Sequence, residues 1–319
     1  IGDQILFFPT LQGLRESFPQ DRIEVLVEPR SRVAYRVCPW VNETLPCDFK
    51  ADLSLADWIN LIGTIRDRYY SAVLSVGSSS GVSILLWMTG IRERIGYAAG
   101  LSGKFLTRPI TLNRDQYAAH MYYDLLRGFN IERPFTVPRI VIPAEDEQWA
   151  LQLLQQHGLT DKKPLLLHPG ASKLSSSKGI QKLYPVRLWV EVVQSLARRD
   201  IPLMVVQGPE DEELVSALTA SLGGQIQAVA PPDIGKLAAL IHHSRLLLCV
   251  DSAPMHLGVA TQTPLVALFG PTSPARLLPG APQFTAVVSP DNASVERIPA
   301  QKVAEAAKAQ LSRSQVPLS

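Results

Sequence analysis

Three stretches of the chain hold side chains that could do chemistry. The first is Gly2-Asp3, just ahead of the apolar run Ile5-Leu6-Phe7-Phe8. An aspartate there has two uses. It can cap the helix that follows, or its ionised carboxylate can take a proton from a hydroxyl. The second is Gly77-Ser-Ser-Ser-Gly81, which satisfies G-x-S-x-G between the strand-like Ala72–Val76 and the apolar run from Val82. That context suits a nucleophile elbow with Ser79 as nucleophile. Asp251 and His256 follow in the order a triad requires, but they share one short turn, whereas triad members come from different strand ends. A plain Ser/Gly loop is the simpler reading. The third stretch is Asp251-Ser252-Ala253-Pro254-Met255-His256. An apolar strand runs into it and a short helix leaves it. Ser252 suits an N-cap and Pro254 the first helical turn. The free amides of such a turn attract anions. Taken singly, Met255 and His256 read as a packed methionine and a hydrogen-bonded histidine.

The elements that must position these residues alternate along the chain. Short β-branched runs at Ile23–Val27, Ala72–Val76, Pro164–His168, Pro202–Val206, Leu246–Val250, Pro264–Leu268 and Phe284–Val288 predict strands. Between them, helical spacing such as Leu188, Val192, Val193, Leu196 predicts amphipathic helices, the first over Gln4–Phe18. This alternation predicts an α/β protein whose parallel sheets are covered on both faces. Pro138 and Pro143, followed by an acidic helix start, suggest a boundary. Two doubly wound domains are therefore expected, residues 1–155 and 160–319, with ligands at the C-terminal ends of the strands. A doubly wound domain normally opens with a central strand. The sequence opens on Ile1 rather than Met, so a first strand is expected upstream of Gly2-Asp3 and missing here.

Composition narrows the function classes. The 319 residues carry 31 basic and 29 acidic side chains, 16 against 17 in residues 1–155 and 15 against 12 in the remainder. Neither half has the basic excess of a nucleic-acid binder. Cys38, Cys47 and Cys249 form no CxxC pattern, which suits a reducing cytoplasm rather than a disulfide framework or zinc site. The longest apolar run, around Val82–Ile91, is far short of a bilayer span. No G-x-G-x-x-G occurs, and Gly100–Lys104 (GLSGK) is too short for a P-loop. No two aspartates stand in the D-x-D spacing that many metal-dependent sugar transferases use.

The whole run Asp251–Pro274, DSAPMHLGVATQTPLVALFGPTSP, resembles the signature of glycosyltransferase family 9, the heptosyltransferase family. Other blocks follow the same family in the same order. GDQILFFPTLQGLRES is similar to its N-terminal block, and RIGY (Arg94–Tyr97) to a later one. LLLHPGAS with KLYPVRLWVEV resembles its strand, phosphate loop and helix start, and VVQGPEDEEL its G-x-x-[DE] loop. Ala253 stands where glycine is common and Gly258 where alanine is common, and the segment between Ser172 and Lys182 is long.

The resemblance implies a GT-B fold, two Rossmann-like domains facing across a cleft. The N-terminal domain would bind the acceptor and the C-terminal domain a nucleotide-sugar donor. It implies an inverting, metal-independent transfer with no resident cofactor, most simply of heptose from ADP-heptose to a lipopolysaccharide or related envelope glycan. It makes Asp3 the catalytic base. Lys182 would offset the leaving diphosphate, with Lys173 and Lys178 as alternates. Ser172 would bind phosphate and Glu210 the ribose hydroxyls. Asp251, Ser252, Met255 and His256 would form the donor loop. The expected partners are the donor and a lipid- or polysaccharide-linked acceptor, and the expected place is the cytoplasm, at the inner face of the membrane. Two further readings stay open: a degenerate member that binds a sugar nucleotide without transferring it, and a GT-B-fold sugar-nucleotide epimerase.

Overall fold

The structure is a computed structural model that describes residues 1–49, 51, 54–77, 79–98, 100–170, 182–197 and 201–313. It forms two compact units. The smaller consists of Leu6–Tyr35 and Trp40–Thr136; the larger of Ile1–Ile5, Arg36–Pro39 and Val137–Ser319. The expected division at about residue 155 therefore differs in three places. The first turn of the first helix, a short segment at Arg36, and residues from Val137 all group with the C-terminal part.

The smaller unit holds most of helix α1 (Gly2–Ser17), followed by strands β1 (Glu24–Val27) and β2 (Glu43–Pro46), which pair in parallel. Helix α2 (Leu55–Arg66), strand β3 (Ala72–Ser75), helix α3 (Ser80–Met88), strands β4 (Glu93–Tyr97) and β5 (Arg108–Ile110), and helix α4 (Ala118–Tyr123) follow. Strands β3, β4 and β5 form a second parallel sheet. Its core is built on Ile95, Tyr97 and Leu125.

The larger unit begins its regular structure with α5 (Ala144–Gln156). Then come β6 (Leu165–His168), α6 (Val186–Leu196), β7 (Leu203–Val206), α7 (Glu212–Leu222), β8 (Gln227–Val229) and α8 (Ile234–His242). The run closes with β9 (Leu246–Val250), α9 (Ala253–Ala260), β10 (Leu265–Phe269), α10 (Pro274–Leu277), β11 (Phe284–Val288) and α11 (Ala300–Arg313). The strands make one parallel sheet in the order β11-β10-β9-β6-β7-β8. Every residue of β6, β7, β9 and β10 is buried, as expected for strands covered on both faces. On one face Leu165, Leu167, Leu246, Leu248, Val250, Val266 and Leu268 meet the apolar stripes of α6 and α11. Each such side chain contributes about 1.5–3 kcal/mol by leaving water. On α9, Gly258 permits a close approach to the strands, since a Cβ there would lie 2.8 Å from Leu247 Cδ2.

Charge fixes α5 to this unit. Asp146 is fully buried and takes bonds from Arg36 (Nη2–Oδ1 2.8 Å) and Lys236 on α8 (3.1 Å). His243 pairs with Glu147. The units divide at Val137, beside the Pro138–Pro143 stretch that suggested a boundary, and the acidic helix start that follows it anchors α5 to the C-terminal sheet.

Candidate functional site

The site is assembled at the C-terminal ends of β6, β9 and β10, within the larger unit. Asp251 is the first residue beyond β9, and its amide bonds to Leu268 on β10 (3.1 Å). Its side chain is almost fully buried, and Oδ2 accepts from Lys182 Nζ (2.6 Å) and from Thr272 Oγ1 (2.7 Å). Lys182 reaches this position because the Lys-Leu-Tyr-Pro turn is locked in place. Tyr184 is buried, donates to the Ile298 carbonyl (2.8 Å) and meets Trp189 edge-on at 4.8 Å. Pro185 then starts α6.

Ser252 precedes α9 as expected, but its hydroxyl does not cap the helix. It donates back to the Val250 carbonyl (3.2 Å), while the Met255 amide bonds the Ser252 carbonyl (3.1 Å). Met255 is fully buried. Its side chain packs as core, within the turn expected to form the donor loop. His256 is also buried, and its Nδ1 has no hydrogen-bond partner among the described residues. Burial lowers its pKa to about 4, and the negative charges of Asp251 and Asp3 offset only part of that, while Lys182 adds to the lowering. The imidazole is therefore neutral at pH 7.

Asp3 belongs to the same cluster. It is not an N-cap, because α1 already begins at Gly2; Asp3 lies in the first helical turn and is exposed. Nor is Gly2 a loop residue. Its place is set by contact, since a Cβ at Gly2 would lie 2.8 Å from His256 Cδ2 and 3.2 Å from Nε2. Glycine lets the first turn of α1 rest on the imidazole, which brings the Asp3 carboxylate within electrostatic reach of His256. The structure thus gathers Asp3, Lys182, Asp251, Ser252 and His256 around one set of strand ends.

Glu210 is exposed, one residue before Asp211, the residue ahead of α7. Ser172, with Lys173 and Lys178, lies outside the described residues. Ser79 caps α3, its side chain accepting from the Val82 amide (3.3 Å), which gives the hydrolase motif a structural use. Among the described residues, no group of three or more His, Cys, Asp or Glu side chains is placed to hold a metal ion.

Two features escaped the sequence. Thr272 was visible only as part of a motif, with no sign that it bonds Asp251. The other is a buried group at the ends of β6 and β7. Asp211 accepts from the Gly208 amide (3.1 Å), and His168 Nε2 lies 3.7 Å from its carboxylate. A Cβ on Gly170 would sit 2.1 Å from that carboxyl group, and one on Gly208 2.5 Å. Burial lowers the pKa of His168 against the pull of Asp211. The Pro-Gly after β6 and the Gly-Pro after β7 are the signal, since both glycines leave room for one side chain.

Comparison with known proteins adds the family. Residues 58–307 match the family described as glycosyltransferase family 9 (heptosyltransferase). A curated relative from Arabidopsis thaliana, photosynthetic NDH subunit of subcomplex B 1, chloroplastic, is 26% identical over 303 residues; the match covers 87% of this chain but only 64% of that protein. Lipopolysaccharide heptosyltransferase 3 of Escherichia coli is 24% identical, with 85% of this chain and 81% of that one covered. The crystal structure of a family 9 glycosyl transferase from Veillonella parvula superposes with a TM-score of 0.85 at 23% identity, covering 98% of this chain and 95% of that one. At that identity the superposition establishes the fold, which is α/β with parallel sheets as expected.

Proposed function

The chain belongs to glycosyltransferase family 9, the heptosyltransferase family, and from that premise we propose that it moves a sugar from a nucleoside-diphosphate donor to a hydroxyl of a glycan acceptor, with inversion. The observation that carries this reading is the clustering of Asp3 with Lys182, Asp251 and His256 in one compact unit. The attacking hydroxyl is a poor nucleophile and needs a base in hydrogen-bond reach. Asp3 is that base: an exposed carboxylate on a helix turn whose position is fixed from below. The departing diphosphate needs positive charge, and Lys182 supplies it. Asp251 and Thr272 aim the ammonium group, and the phosphate oxygens share it on arrival. Neutral His256 offers a ring N–H without adding a charge.

The donor is ADP-heptose and the acceptor a lipopolysaccharide core or related lipid-linked glycan. The name of the Escherichia coli relative supports this part. The transfer uses no resident cofactor and no metal, in keeping with the missing D-x-D pair, and Lys182 takes the metal's place. No helix among the described residues is long and apolar enough to cross a membrane, so the reading puts the chain at the inner face through peripheral contact with its acceptor.

The test is Asp3→Asn assayed with ADP-heptose. ADP binding measured by calorimetry stays within about twofold of wild type, while turnover falls by about 10²–10⁴, the usual share of a general base. Unchanged turnover removes Asp3 from that role.

A further inference from the structure

Helix α3 (Ser80–Met88) carries no charged side chain, the composition of a helix covered on every side. Yet only part of it is covered. Leu85 and Leu86 are buried, while Ile84, Trp87 and Met88, which share the opposite helix face, are 39%, 56% and 44% exposed. Phe105, in the short helical turn Gly100–Phe105, meets the Trp87 ring edge-on at 6.1 Å and extends the apolar face. Four cations border it. Arg66 donates to the Met88 (2.7 Å) and Thr89 (3.3 Å) carbonyls, and Arg94 to the Phe105 carbonyl (2.7 Å). Lys104 and Arg92 are exposed, one next to Phe105, the other bonded through its carbonyl to Arg94 (3.4 Å). Carbonyl acceptors leave the charges of Arg66 and Arg94 uncancelled. From α2 to β5 (Leu55–Ile110) there are six basic and three acidic side chains. Arg68 is paired with Glu24 and Glu43, Arg108 with Glu93, and Asp57 closes the capping box of α2. That leaves Asp67 against Arg66, Arg92, Arg94 and Lys104.

We infer that this face docks onto a bilayer of anionic phospholipid, with Ile84, Trp87, Met88 and Phe105 entering the interface and the four cations meeting headgroup phosphates. Size and charge together choose the occupant. Four partly covered side chains offer on the order of a few hundred Å², well under the ~800 Å² that each side of a stable protein pair buries. A bilayer takes in single side chains. Tryptophan suits its headgroup level, because one end of the ring system is apolar and the other polar. Each Lys or Arg near an anionic surface adds about fivefold in affinity. A second copy of the chain, meeting this face with the same face, would set four cations against four. The inference rests on the reading above only in giving its peripheral contact a surface. Lipid binding needs no sugar transfer, so the two can fail separately.

The experiment floats the full chain with vesicles of phosphatidylcholine alone and of an equal mixture of phosphatidylcholine and phosphatidylglycerol, at low and at raised salt. Binding to the mixed vesicles only is expected, weakened by salt. Trp87→Ser combined with Met88→Ser lowers the partition coefficient at least about tenfold. Lys104→Gln lowers it about fivefold. Unchanged ADP binding by calorimetry shows that the variants are folded. Equal binding to both vesicle types, binding to neither, or undiminished binding by the double serine variant overturns the inference. A dimer in light scattering that the serine variant dissociates, without vesicle binding, gives the face to a second copy and overturns it as well. Sugar transfer to a soluble acceptor without lipid binding overturns it and leaves the transferase reading intact. Lipid binding with no transfer to any acceptor supports it and removes the transferase reading.

Discussion

Acid should loosen this protein through His256, by an amount that follows from its burial. The ring's pKa drops from the ordinary 6.5 to about 4 in the folded chain. Above pH 6.5 the ring is neutral in both states and contributes nothing to the pH dependence. As the pH falls below 6.5, the unfolded chain binds a proton that the folded chain cannot, so stability declines. The decline ends near pH 4, where the folded ring also protonates, and totals about 3 kcal/mol. Between pH 8 and pH 5 the same relation gives a loss of about 2 kcal/mol. Asp251 and Asp3 work against the depression, and Lys182 and the amino group of residue 1 work with it. Urea unfolding at the two pH values measures the loss, for wild type and for His256→Gln, which does not titrate. The variant should lose about 2 kcal/mol less on acidification, whatever its stability at pH 8. His168, shifted in the same direction, contributes equally to both proteins and cancels. If wild type and variant lose the same amount, His256 is not held neutral by burial and the description of its surroundings is wrong.

Removing the hydroxyl that helps aim Lys182 should be felt both in stability and in donor binding. Thr272→Val should cost about 1.5 kcal/mol or more, the usual size of a hydrogen bond to a charged group, and weaken ADP binding about tenfold by calorimetry. Thr272→Ser should restore both, and a serine variant as weak as valine would show that packing rather than the bond to Asp251 matters. Gly170→Ala should destabilise by about 1–3 kcal/mol, because its Cβ would enter the space of the Asp211 carboxyl group. Asp211→Ala should relieve that clash, so urea unfolding of the double variant should show at least about 1 kcal/mol of coupling; strictly additive losses would refute the contact.

The parts of this architecture that the sequence expressed were those with one dominant physical signal. The seven β-branched runs all became strands; four of them, β6, β7, β9 and β10, are buried on both faces and so continuously apolar, while β1, β3 and β11 are partly buried. The four strands without such a run were not legible. β2 ends in proline, β4 begins on charged residues, β5 is Arg-Pro-Ile, and β8 is a three-residue edge strand. The site was partly legible for a similar reason. Asp251, Ser252 and His256 stand on one strand-to-helix turn, so they are near one another whatever the rest of the fold does. That Lys182 joins them depends on pairing between β6 and β9, whose positions are about eighty residues apart in the chain and not in local sequence. Gly2 carried the least visible information. Its sequence context suits a flexible loop, and only the His256 ring shows that small size, not freedom of φ, is what the position requires.

A shared fold does not decide between a transferase and a protein that only holds a sugar nucleotide. The Arabidopsis relative is named as a subunit of a larger complex, so the question is a chemical one. On the proposed reading, a binder needs Lys182 with its Asp251 and Thr272 partners to meet the diphosphate. It has no use for a carboxylate near the anomeric carbon, which would repel the diphosphate. The glycine at Gly2 serves the contact with His256, where a Cβ would lie 2.8 Å from Cδ2. In this chain both are present: the glycine permits the contact with His256, and the contact holds Asp3 within electrostatic reach of that ring, which Asp251 and Lys182 also face. On the proposed transferase reading, a reaction that needs a base is what that pairing serves. The gain to look for is therefore in turnover rather than binding, and Asp3→Asn, which keeps the shape and removes the charge, should bind ADP at least as tightly as wild type while losing turnover.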